Sequence, residues 1–287
     1  MLTNARPSTS PDHTRPPHRR RTLVLVGGFA VLVLLIPVGL VVALSARVDD
    51  RPGPLSREQP PAEPPTADTA PPGAADAGSW DVAAQAALAT RPMLALPEAA
   101  ALPHQLTGDT AGPSFVLPEP TGPPQPLPVA FPATVEGAIA QLAALTRVGL
   151  EGGDPQRYRR AYEAIMLPGA PAVESARLHR DLRRVRAGVL GFPPSGTVAG
   201  LVFTWTPTSA LVKGTTDGDR YAVVCVLGEL VTGLNGQSIS TGAGDCQAFR
   251  RVGERWRISP GPAAAPATPA WPGSVEAVRV GYRAVRS

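Results

Sequence analysis

The sequence predicts an α+β domain carried outside the cell on a single membrane anchor, and three observations predict it. Residues 22–46 carry no charge. From Arg51 to Ala130 the chain is rich in proline and alanine. From Phe131 onward helical periodicity comes first and strand alternation afterwards, the order of helices packed on one face of a curved antiparallel sheet. The chain therefore divides into a basic cytoplasmic tail (1–21), a transmembrane helix (22–46), an extracytoplasmic linker (47–130), an α+β domain (131–260) and a second linker with a short helix (261–287).

The anchor reads "TLVLVGGFAVLVLLIPVGLVVALSA" over 25 positions. At 1.5 Å per residue it spans about 37 Å, enough for a hydrocarbon core of about 30 Å. Arg15, Arg19, Arg20 and Arg21 precede it, and a mixed set, Arg47, Asp49, Asp50 and Arg51, follows. Positive charge inside places the N-terminus in the cytoplasm and everything after Ala46 outside the plasma membrane. The alternative is a cleaved signal peptide, whose apolar core spans only about 7 to 15 residues.

From Arg51 to Ala130 the chain holds eight acids and three bases. The runs "REQPPAEPPTADTAPPG" and "LPEPTGPPQPLPVAFP" read as an extended, disordered stalk. Proline at this density maintains neither a helix nor a central strand, so no core is expected there. Between the two runs a short helix is expected from about Trp80 to Thr90, capped by Ser79 and a candidate to dock on another part of the protein.

In the domain, Thr134 caps a first helix whose stripe is Val135, Ala138, Ile139, Leu142 and Leu145, ended by Gly149. Asp154-Pro155 opens a second with Tyr158, Tyr162 and Ile165 inward. A third is expected from Val173 to Ala187, with Leu178, Leu182, Val185 and Val189 on one side. Strands follow: "TVAGLVFTWT", "SALVKG" and a long one from Arg220 to Val231. Both sets of alternating residues in the long strand are apolar, as in a central strand buried on two sides. Trp256 and Ile258 alternate with Arg255 and Arg257 in a last strand. The tail helix, capped by Ser274, carries Val275, Val278, Tyr282 and Val285.

The two cysteines lie on a hairpin. Asn235-Gly236 suits a type I′ turn, which needs positive φ at both central residues. Leu234 then faces Gln237, and nine steps further out Cys225 faces Cys246. Counted from a hydrogen-bonded closing pair, an odd step lands on a non-hydrogen-bonded pair, where Cα atoms approach to about 4.5 Å, within disulfide range. A bulge at Gly242–Gly244 would slip this register, and two free buried thiols are the alternative. Outside the cytoplasm a disulfide persists.

Chemistry is sparse. Of four histidines only His179 lies in the domain, and no second ligand stands at metal spacing. No cofactor fingerprint, nucleophile elbow or phosphate loop occurs, so no cofactor and no catalytic set is expected. Asp245 is the one candidate general base, in a sheet-lined pocket, or else a surface or ladder partner, the commoner role of a polar strand residue. The helix "RLHRDLRRVR" sets Arg177, Arg180, Arg183, Arg184 and Arg186 against one acid, Asp181, and the chain from Phe131 onward carries net +6. This is a candidate surface for an anionic partner, or else a solvated helix face.

The anchor, the stalk, "PATVEGAIAQLAAL" and "KGTTDGDRYAVVCVLGELV…GDCQAFRRVGERWRISPGP…WPGSVEAVRVGYR" resemble single-pass proteins encoded on actinobacterial integrative conjugative elements. The likeness spans most of residues 80–287. More distantly, the layout is similar to the bitopic assembly scaffolds of type IV secretion and conjugation channels. That resemblance implies a cone-like external domain of the nuclear-transport-factor-two type and a scaffold subunit of a conjugative apparatus. The implied partners are the membrane, other envelope proteins of a transfer machine and further copies of the chain, with no direct nucleic-acid binding. The alternative is an extracytoplasmic module binding envelope lipids or cell-wall polymers. An apolar cone pocket favours that module, and a pocket with convergent Asp, Tyr or His favours an enzyme.

Overall fold

The computed structural model describes residues 79–122, 127, 130–189 and 191–286. The expected tail 1–21, the transmembrane helix 22–46 and the first stalk run lie outside the described residues. Among the described residues no helix is long and apolar enough to cross a membrane. The elements are α1 (Val82–Thr90), β1 (Phe115–Val116), α2 (Val135–Leu150), α3 (Pro155–Ile165), α4 (Arg177–Arg184), β2 (Leu201–Thr216), β3 (Tyr221–Leu234), β4 (Gln237–Val252), β5 (Arg255–Ile258), α5 (Val275–Val280) and β6 (Arg283–Arg286). The strands form one curved sheet in the order β1-β6-β2-β3-β4-β5, antiparallel except for the β1–β6 pair. Helices on that sheet make the domain α+β.

Local chemistry sets the helix ends. The Thr134 side chain accepts from the Gly137 amide, and Asp154 accepts from Gln156 ahead of Pro155. Both side chains satisfy backbone donors that lack a partner in the first turn. Gly152, at φ +73°, turns the chain between α2 and α3. The expected third helix is broken into a 3₁₀ turn at Val173–Ser175, α4, and a wider π turn at Val185–Val189.

The hairpin register is as the turn dictates. Asn235 and Gly236 both have positive φ, Leu234 pairs with Gln237, and Cys225 pairs with Cys246 without a bulge between. The two cysteines are joined in a disulfide. The expected strands at "TVAGLVFTWT" and "SALVKG" are one strand, β2. It absorbs Pro207, which has no N–H to donate, in a register shift beside that residue, and shifts again at Val212/Gly214.

Both faces of the sheet are covered. Ala222, Val224, Val226 and Leu230 of β3 pack with Ile139, Leu142, Tyr158, Ile165 and Leu182 of the helices. On the other face Cys225, Leu227 and Cys246 meet Ala267, Ala270, Ala277 and Tyr282, while Tyr221, Val223 and Ala248 meet Ala89 of α1. The second cover comes from segments expected to be linkers, which corrects the expectation that Arg51–Ala130 contributes no core. The helix near Trp80–Thr90 exists, with Asp81 instead of Ser79 as its cap, and it docks. Tyr221 donates to the Gln85 carbonyl (3.1 Å), Gln85 Nε2 donates to Asp217 (2.7 Å), and Arg220 and Arg250 sit over the Trp80 ring. Beyond α1 the chain exchanges hydrogen bonds with the C-terminal segment: Thr268 donates to Leu94, Trp271 to Ala100, and Thr107 to Gly273. The expected tail helix ends at Val280, Gly281 turns left-handed, and residues 283–286 add β6 to the sheet.

Three outcomes test this arrangement. A chain starting at Phe131 leaves Tyr221, Val223 and Ala248 facing water and is expected to lack a cooperative urea transition, whereas a chain starting at Ser79 unfolds cooperatively. Replacing both cysteines by alanine is expected to lower stability by about 3 kcal/mol, the chain entropy of a loop of this length. Without denaturant, the native protein should show no thiol to an alkylating reagent in mass spectrometry. Two labelled thiols would contradict the pairing.

Candidate functional site

Asp245 and Gln247 stand two residues apart on β4 and so point to the same face, towards the helices. Tyr158 and Tyr162 lie one turn apart on α3 and also point inward, their ring centroids 5.8 Å apart. These elements meet at Asp245, which is 4% exposed. Its Oδ2 accepts from the Tyr158 hydroxyl (3.2 Å) and from Gln247 Nε2 (3.1 Å). Its Oδ1 accepts from the Cys246 amide (2.9 Å). That amide is free because Cys225:Cys246 is a non-hydrogen-bonded pair, whose N–H and C=O groups point away from the partner strand. Burial, with a smaller contribution from nearby Asp181, raises the Asp245 pKa to about 6 against the three hydrogen bonds.

Asp181 is also buried, and Arg177 Nε donates to it at 3.1 Å while Arg184 stands 3.5 Å away. Burial outweighs these arginines and brings its pKa to about 6 as well. His179 packs its ring on Tyr158 at 6.3 Å, and neither ring nitrogen has a hydrogen-bond partner among the described residues. Burial, then the Arg159 charge, lowers its pKa, which favours the neutral imidazole.

A cavity of about 280 Å³ opens beside this cluster, lined by Tyr162, Arg177, Arg180, Asp245, Cys246 and Gln247 and backed by Ala263–Pro266. A smaller, mainly apolar one of about 50 Å³ shares Arg177 and Asp245. Two hydroxyls on the larger wall, Thr90 and Ser175, donate to carbonyls of their own turns. The cavity thus offers a carboxyl group, guanidinium donors and an amide, and its cysteine is bridged.

The five arginines do not form one surface. Arg183 and Arg184 are exposed, and Arg177 and Arg180 are half-buried at the cavity. Arg186 is a correction: it is 1% exposed, and its guanidinium donates to the carbonyls of Pro193, Gly153 and Gly196 at 2.8–2.9 Å. It stands four residues after Leu182, on the face that a helix turns towards the core, so helical spacing already carried this signal. Sequence reasoning also missed Tyr158, Asp181 and Gln247 as partners of Asp245. For Gln247 the signal was present, because the hairpin register fixes which residues of β4 share a face. Among the described residues no group of three His, Cys, Asp or Glu side chains is placed to hold a metal ion.

Comparison with known proteins gave no match: no family model, no curated protein and no solved structure is significantly similar to this chain.

Asp245 holds its proton more tightly folded than unfolded, so ionising it opposes folding. Its contribution to stability is complete below about pH 4 and is lost as pH rises through 6. Asp245→Asn is expected to reduce the fall in unfolding free energy between pH 4 and 7 by on the order of 3 kcal/mol, read from urea titrations at each pH. Arg186→Ala leaves three carbonyls without their donor and is expected to cost about 3–5 kcal/mol, whereas Arg183→Ala should stay within about 0.5 kcal/mol, by thermal denaturation.

Proposed function

We propose that this chain is a membrane-anchored scaffold subunit of a conjugative DNA-transfer apparatus of the type IV secretion kind, with its α+β domain outside the plasma membrane. The observation that carries the reading is the disulfide inside the central sheet. Such a bridge persists on the oxidising side of a membrane, where the charge asymmetry around residues 22–46 also directs the chain. The resemblance in "PATVEGAIAQLAAL" and in the strand region supports the conjugative setting. In this role the domain positions other envelope proteins, and copies of itself, around a channel.

A second reading, a module that binds anionic envelope lipids or cell-wall polymers, draws support from Arg183 and Arg184, exposed beside each other at the end of α4. Such binding weakens as salt shortens the screening length below about 8 Å.

Exporting the domain without residues 1–46 is expected to abolish transfer of the element at normal protein abundance, measured as transfer frequency between donor and recipient cells. Full transfer by the soluble domain would overturn the scaffold reading. Salt-sensitive sedimentation with anionic vesicles, lost in Arg183→Gln/Arg184→Gln while transfer persists, would favour the second.

A further inference from the structure

We propose that the cavity between α4 and the outer edge of β4 binds a small aliphatic amino acid as a zwitterion, with its ammonium on Asp245 and its carboxylate on Arg177 and Arg180. The site exists independently of any role in transfer.

The first ground is an unbalanced charge. Asp245 makes no ion pair among the described residues, and its three hydrogen bonds come from neutral donors. The charged neighbour that acts on it is a second carboxylate, Asp181. A buried anion without a cation is costly, and a ligand ammonium removes that cost. The acceptors around it suit three N–H groups. Besides the carboxylate, Cys246 lines the cavity with a carbonyl that the ladder register turns away from β3, and Gln247, whose Nε2 is the donor to Asp245, retains its Oε1.

The second ground is a pair of arginines in the same wall. Asp181 holds Arg177 by Nε, which fixes the guanidinium plane and leaves both Nη groups as donors. Arg180 donates one Nη to the Ser175 carbonyl and keeps the rest of its fork. Planar donors of this kind match a carboxylate.

Charge complementarity then selects the ligand. A simple amine meets two arginines at the wall, a simple carboxylate meets Asp245, and a molecule with both groups satisfies both. About 280 Å³ is small for a ligand pocket, and its remaining wall is Tyr162, Ala176, the run Ala263–Pro266, and Thr90 and Ser175, whose hydroxyls are used within their own turns. That combination suits a short aliphatic side chain.

The test is isothermal titration calorimetry of the full chain in detergent with three probes of one carbon skeleton: L-valine, isobutylamine and isovalerate. L-valine is expected to bind with a dissociation constant of about 1 mM or tighter, and each half-ligand at least about tenfold more weakly. Asp245→Asn and, separately, Arg180→Gln are each expected to weaken L-valine by at least about tenfold. Arg180 is half-buried and bonded to one backbone carbonyl, so its replacement leaves the core intact and serves as a check should Asp245→Asn misfold. No heat with L-valine at 10-fold above that dissociation constant, roughly 10 mM, overturns the proposal. So does isobutylamine or isovalerate binding as tightly as L-valine, or native affinity in Arg180→Gln.

Discussion

Every residue of β3 from Tyr221 to Gly228 is buried, and that two-sided burial sets the terms for the rest of the chain. A strand with Ala222, Val224 and Val226 on one face and Val223, Cys225 and Leu227 on the other has no side to show to water. Each apolar side chain left exposed would forfeit roughly 1.5–3 kcal/mol, so two separate covers are required. The three helices α2–α4 provide one. The other must come from residues outside the helix-then-strand region, and the segments on either side of it, around residues 80–107 and 263–282, provide it.

Those covering segments succeed without regular structure for most of their length because their backbone groups bond to one another. The Leu94, Ala100 and Gly273 carbonyls all accept from the opposite segment or its side chains. Small residues make the approach close enough. A Cβ at Gly242 would run into the Ala270 carbonyl, and Ala267, Ala270 and Ala277 lie directly on the disulfide face. Lys213, the only lysine, sits where β2 shifts register, and its ammonium donates to the carbonyls of Ala89 and Arg91 at the end of α1. A charge at a helix C-terminus favours the dipole and satisfies acceptors that the helix leaves open.

The same burial explains where the ionisable groups concentrate. Helix α4 alternates arginine with Leu178 and Leu182, and its one acid faces inward to hold Arg177 and Arg184. Arg186 goes further and is fully enclosed, its fork spread over three carbonyls of the loops that flank α3 and precede β2. Buried arginine is tolerated only when its donors are used in this way. Asp245 differs, because its hydrogen bonds come from neutral groups and its carboxyl borders two cavities.

Sequence alone determined whatever depends on neighbours along the chain. Thr134, Asp154 and Ser274 cap helices because a short oxygen-bearing side chain reaches the next turn in any context. Asn235-Gly236 fixes the hairpin, and through it the Cys225:Cys246 pairing, since side-chain period and ladder alternation propagate from a turn without reference to the rest of the fold. The stripe of Tyr158, Tyr162 and Ile165 and the two-sided strand follow from periodicity in the same way. Tertiary structure decided what depends on distant partners. Proline-rich composition forbids long regular elements, but it does not forbid burial; the two-sided strand announces a second face to be covered, but no local pattern reveals that residues 80–107 cover it. Asp181 looks like a surface charge until the arginines that meet it are placed, and Arg186, turned inward by helical spacing, finds its acceptors only when three distant carbonyls converge on it. Asp245 became a site only when α3 brought Tyr158 to it across 87 positions of chain, because convergence of polar groups is a property of packing and not of spacing.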